Sequence, residues 1–158
     1  MLGAQEPEIV FEPLLEDPFV LACREDHHLT SFGEVEWKQL GPYPFITVGP
    51  QSGNRLILDL GLAKAEWRPK WFYEVQHLST SLGLVEAGLG VAALPRMAMP
   101  HGAHPVLVSR PLINPVLTRT VGLIRKRSYR LSPAAQKFHD LLHAKWSTVN
   151  MRKDTTTT

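Results

Sequence analysis

The stretch LSTSLGLVEAGLGVAALP, residues 78–95, decides the fold. Leu78, Leu82, Val85 and Leu89 recur at helical spacing and predict one apolar stripe. Ser79, Thr80 and Ser81 offer N-cap hydroxyls at its start. Gly88 stands just past the last turn, where a left-handed cap needs a residue without a Cβ. Residues 91–94 (VAAL) are apolar without alternation, the pattern of a strand covered on both faces. Pro95, which cannot donate to a ladder, closes it. A helix that feeds directly into a doubly covered strand is half of a parallel β-α-β unit.

Working upstream, residues 45–48 (FITV) predict a strand between Pro44 and Gly49-Pro50. A helix should run from Ser52 or Gly53 to about Ala65, with Leu56, Ile57, Leu60 and Ala63 on its apolar face. Residues 70–75 (KWFYEV) alternate and are rich in aromatics, as strands are. Three strands alternating with two helices imply parallel pairing through right-handed crossovers. Further out, 8–15 (EIVFEPLL, carrying Pro13), 19–23 (FVLAC), 106–108 and 118–124 (TRTVGLI) read as strands, and 111–115 as a loop. Strands 19–23 and 118–124 are expected to pair as the two chain crossings between lobes. Residues 36–40 and 96–99 allow single helical turns. Ser132-Pro133 is a favoured helix start. That helix should reach about Trp146, with Ala135, Phe138, Leu141, Leu142 and Trp146 on its apolar side, and the last eight residues, MRKDTTTT, are low in complexity.

Composition narrows the function classes. Of 158 residues 44% are hydrophobic, enough for a packed core. The net charge of +2 is spread out, which argues against the clustered basic face of a nucleic-acid binder. Cys23 is the single cysteine; it excludes an internal disulfide framework and fits a reducing compartment. There is no run of 18 apolar residues, and residues 1–7 carry neither a basic n-region nor an apolar h-region. His27-His28 and His101/His104 match no zinc spacing, so no metal site is expected. Gly88-Leu89-Gly90 follows a helix instead of a strand and fails as a dinucleotide fingerprint. Residues 49–55 lack the Gly-Lys-Ser/Thr ending of a nucleotide P-loop, and no Gly-x-Ser-x-Gly elbow occurs. No catalytic set or cofactor is expected. Cys23, inside an apolar strand, reads as a buried inert thiol. The basic run Arg125, Lys126, Arg127, Arg130 reads as solvated loop, with a phosphate contact as the sharper alternative.

The positive signal is geometric. Two helices begin directly after parallel strands, so both starts fall on the carboxyl-end edge of the sheet, where open α/β sheets bind ligands. Free N–H groups and the positive dipole end favour an anion there. The candidate residues are Val48, Gly49, Ser52 and Arg55 at the first start, and His77, Leu78 and Ser79 at the second. Arg55 either pairs with that anion or faces solvent.

Together these segments resemble the effector-binding domain of LysR-type transcriptional regulators. The resemblance is carried by PLLEDPFVLACREDHHL (13–29), PFITVGPQSGNRLILD (44–59), EVQHLSTSLGLVEAGLGVAALP (74–95) and TRTVGLIRKRSYRLSPAAQKFHDLL (118–142). Asp26-His27-His28-Leu29 departs at one place from the family's Asp-His-Pro-Leu. The resemblance implies an α/β fold like type 2 periplasmic binding proteins, with a small-molecule inducer held between two lobes. Residues 24–117 would be one complete Rossmann-like lobe, 1–23 and 118–146 the remnant of the other, and 147–158 a disordered tail. It also implies a cytoplasmic, non-enzymatic regulator whose winged helix-turn-helix and linker helix, outside this chain, contact DNA and make the homo-oligomer. A solute-binding protein of the same fold and an enzyme on that scaffold are the alternatives.

Overall fold

The computed structural model describes residues 8–153 other than Glu66 and Arg68, with side chains as far as Trp146. Elements are numbered in chain order. Strands β3 (Phe45–Val48), β4 (Trp71–Val75) and β5 (Val91–Pro95) form the parallel set the sequence predicts, with β3 in the middle. Phe45 lies opposite Val91 and Ile46 opposite Ala92, while Val48 lies opposite Val75. Helices α1 (Gly53–Gly61) and α2 (Leu78–Glu86) connect them in turn. Every residue of β3 and β5 is buried. Their side chains alternate between two apolar layers. Phe45, Val91 and Ala93 join Leu58 and Leu62; Ile46, Ala92 and Leu94 join Val85 of α2. A helix on each face explains why the strand sequences do not alternate in polarity.

The second half of β1 (Ile9–Arg24) completes this sheet. Phe19–Ala22 pair antiparallel with Pro95–Ala92, and Val20–Arg24 pair antiparallel with Pro111–Leu107 of β6 (Leu107–Ile113). The order is β2-β6-β1-β5-β3-β4, β2 being Val35–Glu36. The chain divides into two compact units. The larger spans Asp17–Arg119 and contains both apolar layers. The smaller comprises Met1–Glu16 with Thr120–Thr158. Strand β7 (Thr118–Lys126), which lies in it from Thr120 on, pairs with β1, and helix α3 (Pro133–Lys153) follows. Ser132 Oγ accepts the Ala135 N–H at 3.3 Å, the cap expected there. Among the described residues no helix is long and apolar enough to cross a membrane.

Several elements differ from the sequence expectation, each for a packing reason. Segments 8–15 and 19–23 are one strand, which changes partners from β7 to β5 and β6. Strand 19–23 therefore does not ladder with 118–124, since β5 and β6 take its two edges; the Phe19 N–H reaches Leu117 O, one residue before β7, at 2.8 Å. Helix α1 stops at Gly61 because the chain turns to bury Leu62, and Leu58 faces the core while Leu60 is exposed. The expected loop 111–115 is strand as far as Ile113, since Leu112 is a core residue paired with Val35. Helix α3 continues past Trp146 to Lys153; the rest of the expected disordered tail, 154–158, lies outside the described residues. Its inward residues are Ala135, His139, Leu142, His143 and Trp146, whereas Phe138 and Leu141 are exposed.

The stretch 78–95 folds nearly as predicted. Gly88 has φ +78°, its N–H reaches Val85 O at 2.9 Å, and the Leu89 N–H reaches back to Leu84 O at 3.0 Å. This is a Schellman cap. Two details differ: the N-cap is His77, without a side-chain bond, and Leu89 lies beyond the helix end and is exposed.

Candidate functional site

Since β3 and β4 are parallel neighbours, α1 and α2 start side by side on one edge of the sheet. The Gly49 N–H donates to Val75 O at 2.9 Å and ties the two loops together. Ser52 caps α1: its Oγ accepts the Asn54 N–H at 3.3 Å, and its own N–H reaches Gly49 O at 3.0 Å. At α2, His77 O accepts the N–H groups of Thr80 and Ser81 at 3.1 and 3.2 Å. The N–H groups of Leu78 and Ser79 have no partner among the described residues, as first-turn donors lack one within the helix. Neither helix carries an acidic residue in its first turn to offset its positive dipole end. His77 and Ser79 are exposed and Leu78 is half-buried. The seven residues singled out in the sequence are thus gathered at one edge, with α2 presenting the freer donors.

Arg55 is neither a free cation nor a solvent-facing one. Its side chain is only 12% exposed, lies against Asp59 at 2.9 Å and reaches Glu74 at 3.5 Å. The guanidinium also sits over the Trp71 ring, 4.4 Å from its centroid, and donates to Val48 O at 3.4 Å. Its position in the first turn of α1 is legible in the sequence, but the carboxylate from β4 is not.

Sequence reading missed a second group at this edge. Asp17 is buried to 1% exposure and accepts from Arg119, with Nη2 at 2.8 Å and Nε at 3.0 Å. Its other oxygen accepts the Met97 N–H at 3.0 Å. Arg119 Nη1 then donates to Asn54 Oδ1 at 3.1 Å, in the first turn of α1. One guanidinium therefore joins the residues where the chain enters and leaves the larger unit to the start of α1. Separations of 102 and 65 residues leave no local signal for it.

Elsewhere the chemistry is quieter. Cys23 is fully buried, and that burial pushes its thiol up to about 11, far from a reactive thiolate. His27 packs edge-on to Tyr43, and its Nδ1 accepts the Leu29 N–H at 3.2 Å. His104 Nδ1 accepts the Leu107 N–H at 2.9 Å. Of the basic run, Arg125 is paired to Glu12 at 2.6 Å, while Arg127 and Arg130 line an open cavity of about 660 Å³. Glu12 is approached from a second side by His139 at 2.7 Å and by His143 at 3.3 Å. The Arg125 guanidinium, and after it His139, hold the Glu12 carboxyl down to about 2. Contact with Glu12, and then with Asp140, raises His139. Glu12, His139 and His143 form a cluster of possible metal-ligand donors, which the sequence reading did not foresee. The four-residue spacing of the two histidines was visible, but the carboxylate over 120 residues away was not.

A sheet lined on both faces by helices, with adjacent helix starts on its carboxyl edge, is the α/β fold of the type 2 periplasmic-binding-protein class. The chain belongs to the LysR substrate-binding domain family: the model described as LysR substrate binding domain matches residues 2–147. A curated relative, the "Uncharacterized HTH-type transcriptional regulator YbhD" of Escherichia coli (strain K12), is 52% identical over 147 residues, covering 93% of this chain and 46% of the relative. The chain spans about half the length of the curated relatives it matches. The effector-binding domain of QuiR in complex with shikimate superposes with a TM-score of 0.75 at 23% identity, over 92% of this chain and 68% of that one. The Synechocystis PCC6803 CcmR regulatory domain in complex with 2-PG gives 0.75 at 21% identity, over 90% and 69%. At those identities the likeness establishes the fold.

Proposed function

We propose that this chain is the sensing part of a LysR-type transcription regulator and binds a small anionic metabolite at the edge where α1 and α2 begin. The observation that carries the reading is the pair of N–H groups of Leu78 and Ser79, without partners among the described residues and beside the start of α1. Each helix end contributes about 0.3–1 kcal/mol to an exposed anion and up to about 2 kcal/mol to a partly buried one. Val48 and Gly49 form the floor, Ser52 and Ser79 offer hydroxyls, and His77 flanks the second start. Arg55 keeps Asp59 and exchanges its long contact with Glu74 for the ligand's carboxylate or phosphate. Shikimate and 2-PG, held by two similar domains, are small acids of this kind. The chain acts as a binder and not as an enzyme. In the whole cytoplasmic protein, DNA contact and homo-oligomer formation belong to a helix-turn-helix part, and the ligand biases them by its differential affinity for two states.

The test is a calorimetric titration of the chain with a panel of small carboxylic acids and phosphate esters. At least one should bind saturably, and Ser79→Asp, which sets a fixed carboxylate at the second helix start, should weaken it about two- to fivefold, as one lost exposed helix-end contact predicts. Equal affinity in the variant would remove the ligand from this edge. No binding by any acid of the panel would defeat the anionic reading.

A further inference from the structure

We propose that Glu12, His139 and His143 form a binding site for a divalent transition-metal cation of the zinc type. The inference is independent of the effector reading, since all three residues lie in the smaller unit. The two histidines are four residues apart on α3, which puts both on one face of the helix. Glu12 comes from β1. His139 Nε2 lies 2.7 Å and His143 Nε2 3.3 Å from the same oxygen, Glu12 Oε2. One ligand atom from each residue falls within 4.8 Å of the others, and the two rings are 4.4 Å apart with a 44° tilt. Bonds of about 2.0–2.1 Å to a tetrahedral zinc place neighbouring ligand atoms roughly 3.3 Å apart. His143 Nε2 already stands at that spacing from Glu12 Oε2, and His139 Nε2 is closer to the same oxygen.

Three further observations support an ion here. Arg125 Nε holds the other oxygen, Glu12 Oε1, at 2.6 Å, leaving Oε2 as a single donor oriented by an outer hydrogen bond, as ligating carboxylates are. Two imidazoles with one carboxylate suit zinc, and do not suit magnesium or calcium, which take oxygen. Glu12 and His139 stand in the wall of the 660 Å³ cavity, so an ion has a way in and a water can take the fourth position. Bound there, the ion ties α3 to β1 and stabilises the smaller unit by mass action.

The experiment uses the 158-residue chain without an affinity tag, stripped with chelator, and zinc chloride as the probe. Calorimetry should find one zinc per chain with a dissociation constant in the micromolar range, and saturating zinc should raise the unfolding temperature. Cobalt in place of zinc should give the visible absorption of a tetrahedral site. His139→Ala combined with His143→Ala should abolish all three responses, and the milder His143→Gln should weaken binding at least about tenfold, with the far-ultraviolet dichroism of each variant checked against wild type. Absence of saturable zinc binding by the folded wild-type chain overturns the proposal. So does unchanged binding in a folded double variant, which would move the ion to His27, His28, His77, His101 or His104.

Discussion

Arg119 is the residue on which the larger unit's ends depend. Removing its side chain leaves the carboxylate of Asp17, 1% exposed, with only the Met97 N–H as a partner. Arg119→Ala should therefore cost about 1–3 kcal/mol, the range for a buried polar group deprived of its partner, read as a lower urea midpoint. A midpoint equal to wild type would show that solvent replaces the guanidinium. The glycines of 78–95 separate conformation from space. At Gly88, φ +78° is the obstacle and a Cβ would have room, 3.6 Å from Arg24 Cδ. Gly88→Val should destabilise by about 1 kcal/mol or more. At Gly90 a Cβ would collide with the backbone carbonyl of Pro44, which also accepts the Val91 N–H at 3.0 Å, so Gly90→Ala should lower the urea midpoint further than Gly88→Ala does. The reverse order would mean that the chain before β3 moves aside freely. Cys23 gives a pH prediction. Burial favours its neutral thiol and raises it from 9.0 to about 11, so its contribution to stability is whole below pH 9 and falls away between there and about pH 11. The unfolding free energy of wild type should decline more steeply over that window than that of Cys23→Ala. Parallel slopes would show a solvated sulfur. The Gly88 cap was legible because its signal lies within one turn. The partner of Asp17 was not, because nothing in the sequence near Asp17 refers to Arg119.

At the level of elements, the start of α2 makes a prediction of two signs. Ser79→Asp places a negative charge on unpartnered N–H groups and should stabilise the chain by about 0.3–1 kcal/mol while weakening an anionic ligand. A thermal melt with no upward shift would mean that the dipole end is already compensated. The parallel strands and their helices were legible because apolar runs between turn residues need no long-range information. Residues 111–115 and the union of 8–15 with 19–23 were not. Pro111 opened the expected loop and yet lies within a strand, as Pro18 does between the two expected strands that are one. The face of α3 was misread for another reason. Phe138 and Leu141 follow the hydrophobic rule, but His139 and His143 turn inward to reach the Glu12 carboxylate.

At the level of the whole molecule, both apolar layers lie in Asp17–Arg119, so cohesion is unequally shared between the two units. Hydrogen exchange of the whole chain should find the slowest amides at Leu21, Ala22, Ile46 and Ala92, all fully buried or nearly so, and faster ones throughout 120–146. Slowest exchange in α3 would contradict the assignment of the core. The candidate edge was placed by topology alone, because parallel order dictates where helix starts fall. What the sequence withheld was the bond from Arg119 to Asn54 and the ion pairs of Arg55 with Asp59 and Glu74.

The link from Asn54 through Arg119 to Asp17 has a genetic consequence. It joins the α1 start to both points where the peptide leaves the larger unit, at Glu16/Asp17 and Arg119/Thr120. On the proposed reading, mutants of the full-length regulator would then sort into two phenotypes. Lesions at Ser79 would demand a higher dose of inducer for the same output. Conservative lesions at Arg119, such as Arg119→Lys, would keep the dose at half-response and alter the ceiling of expression.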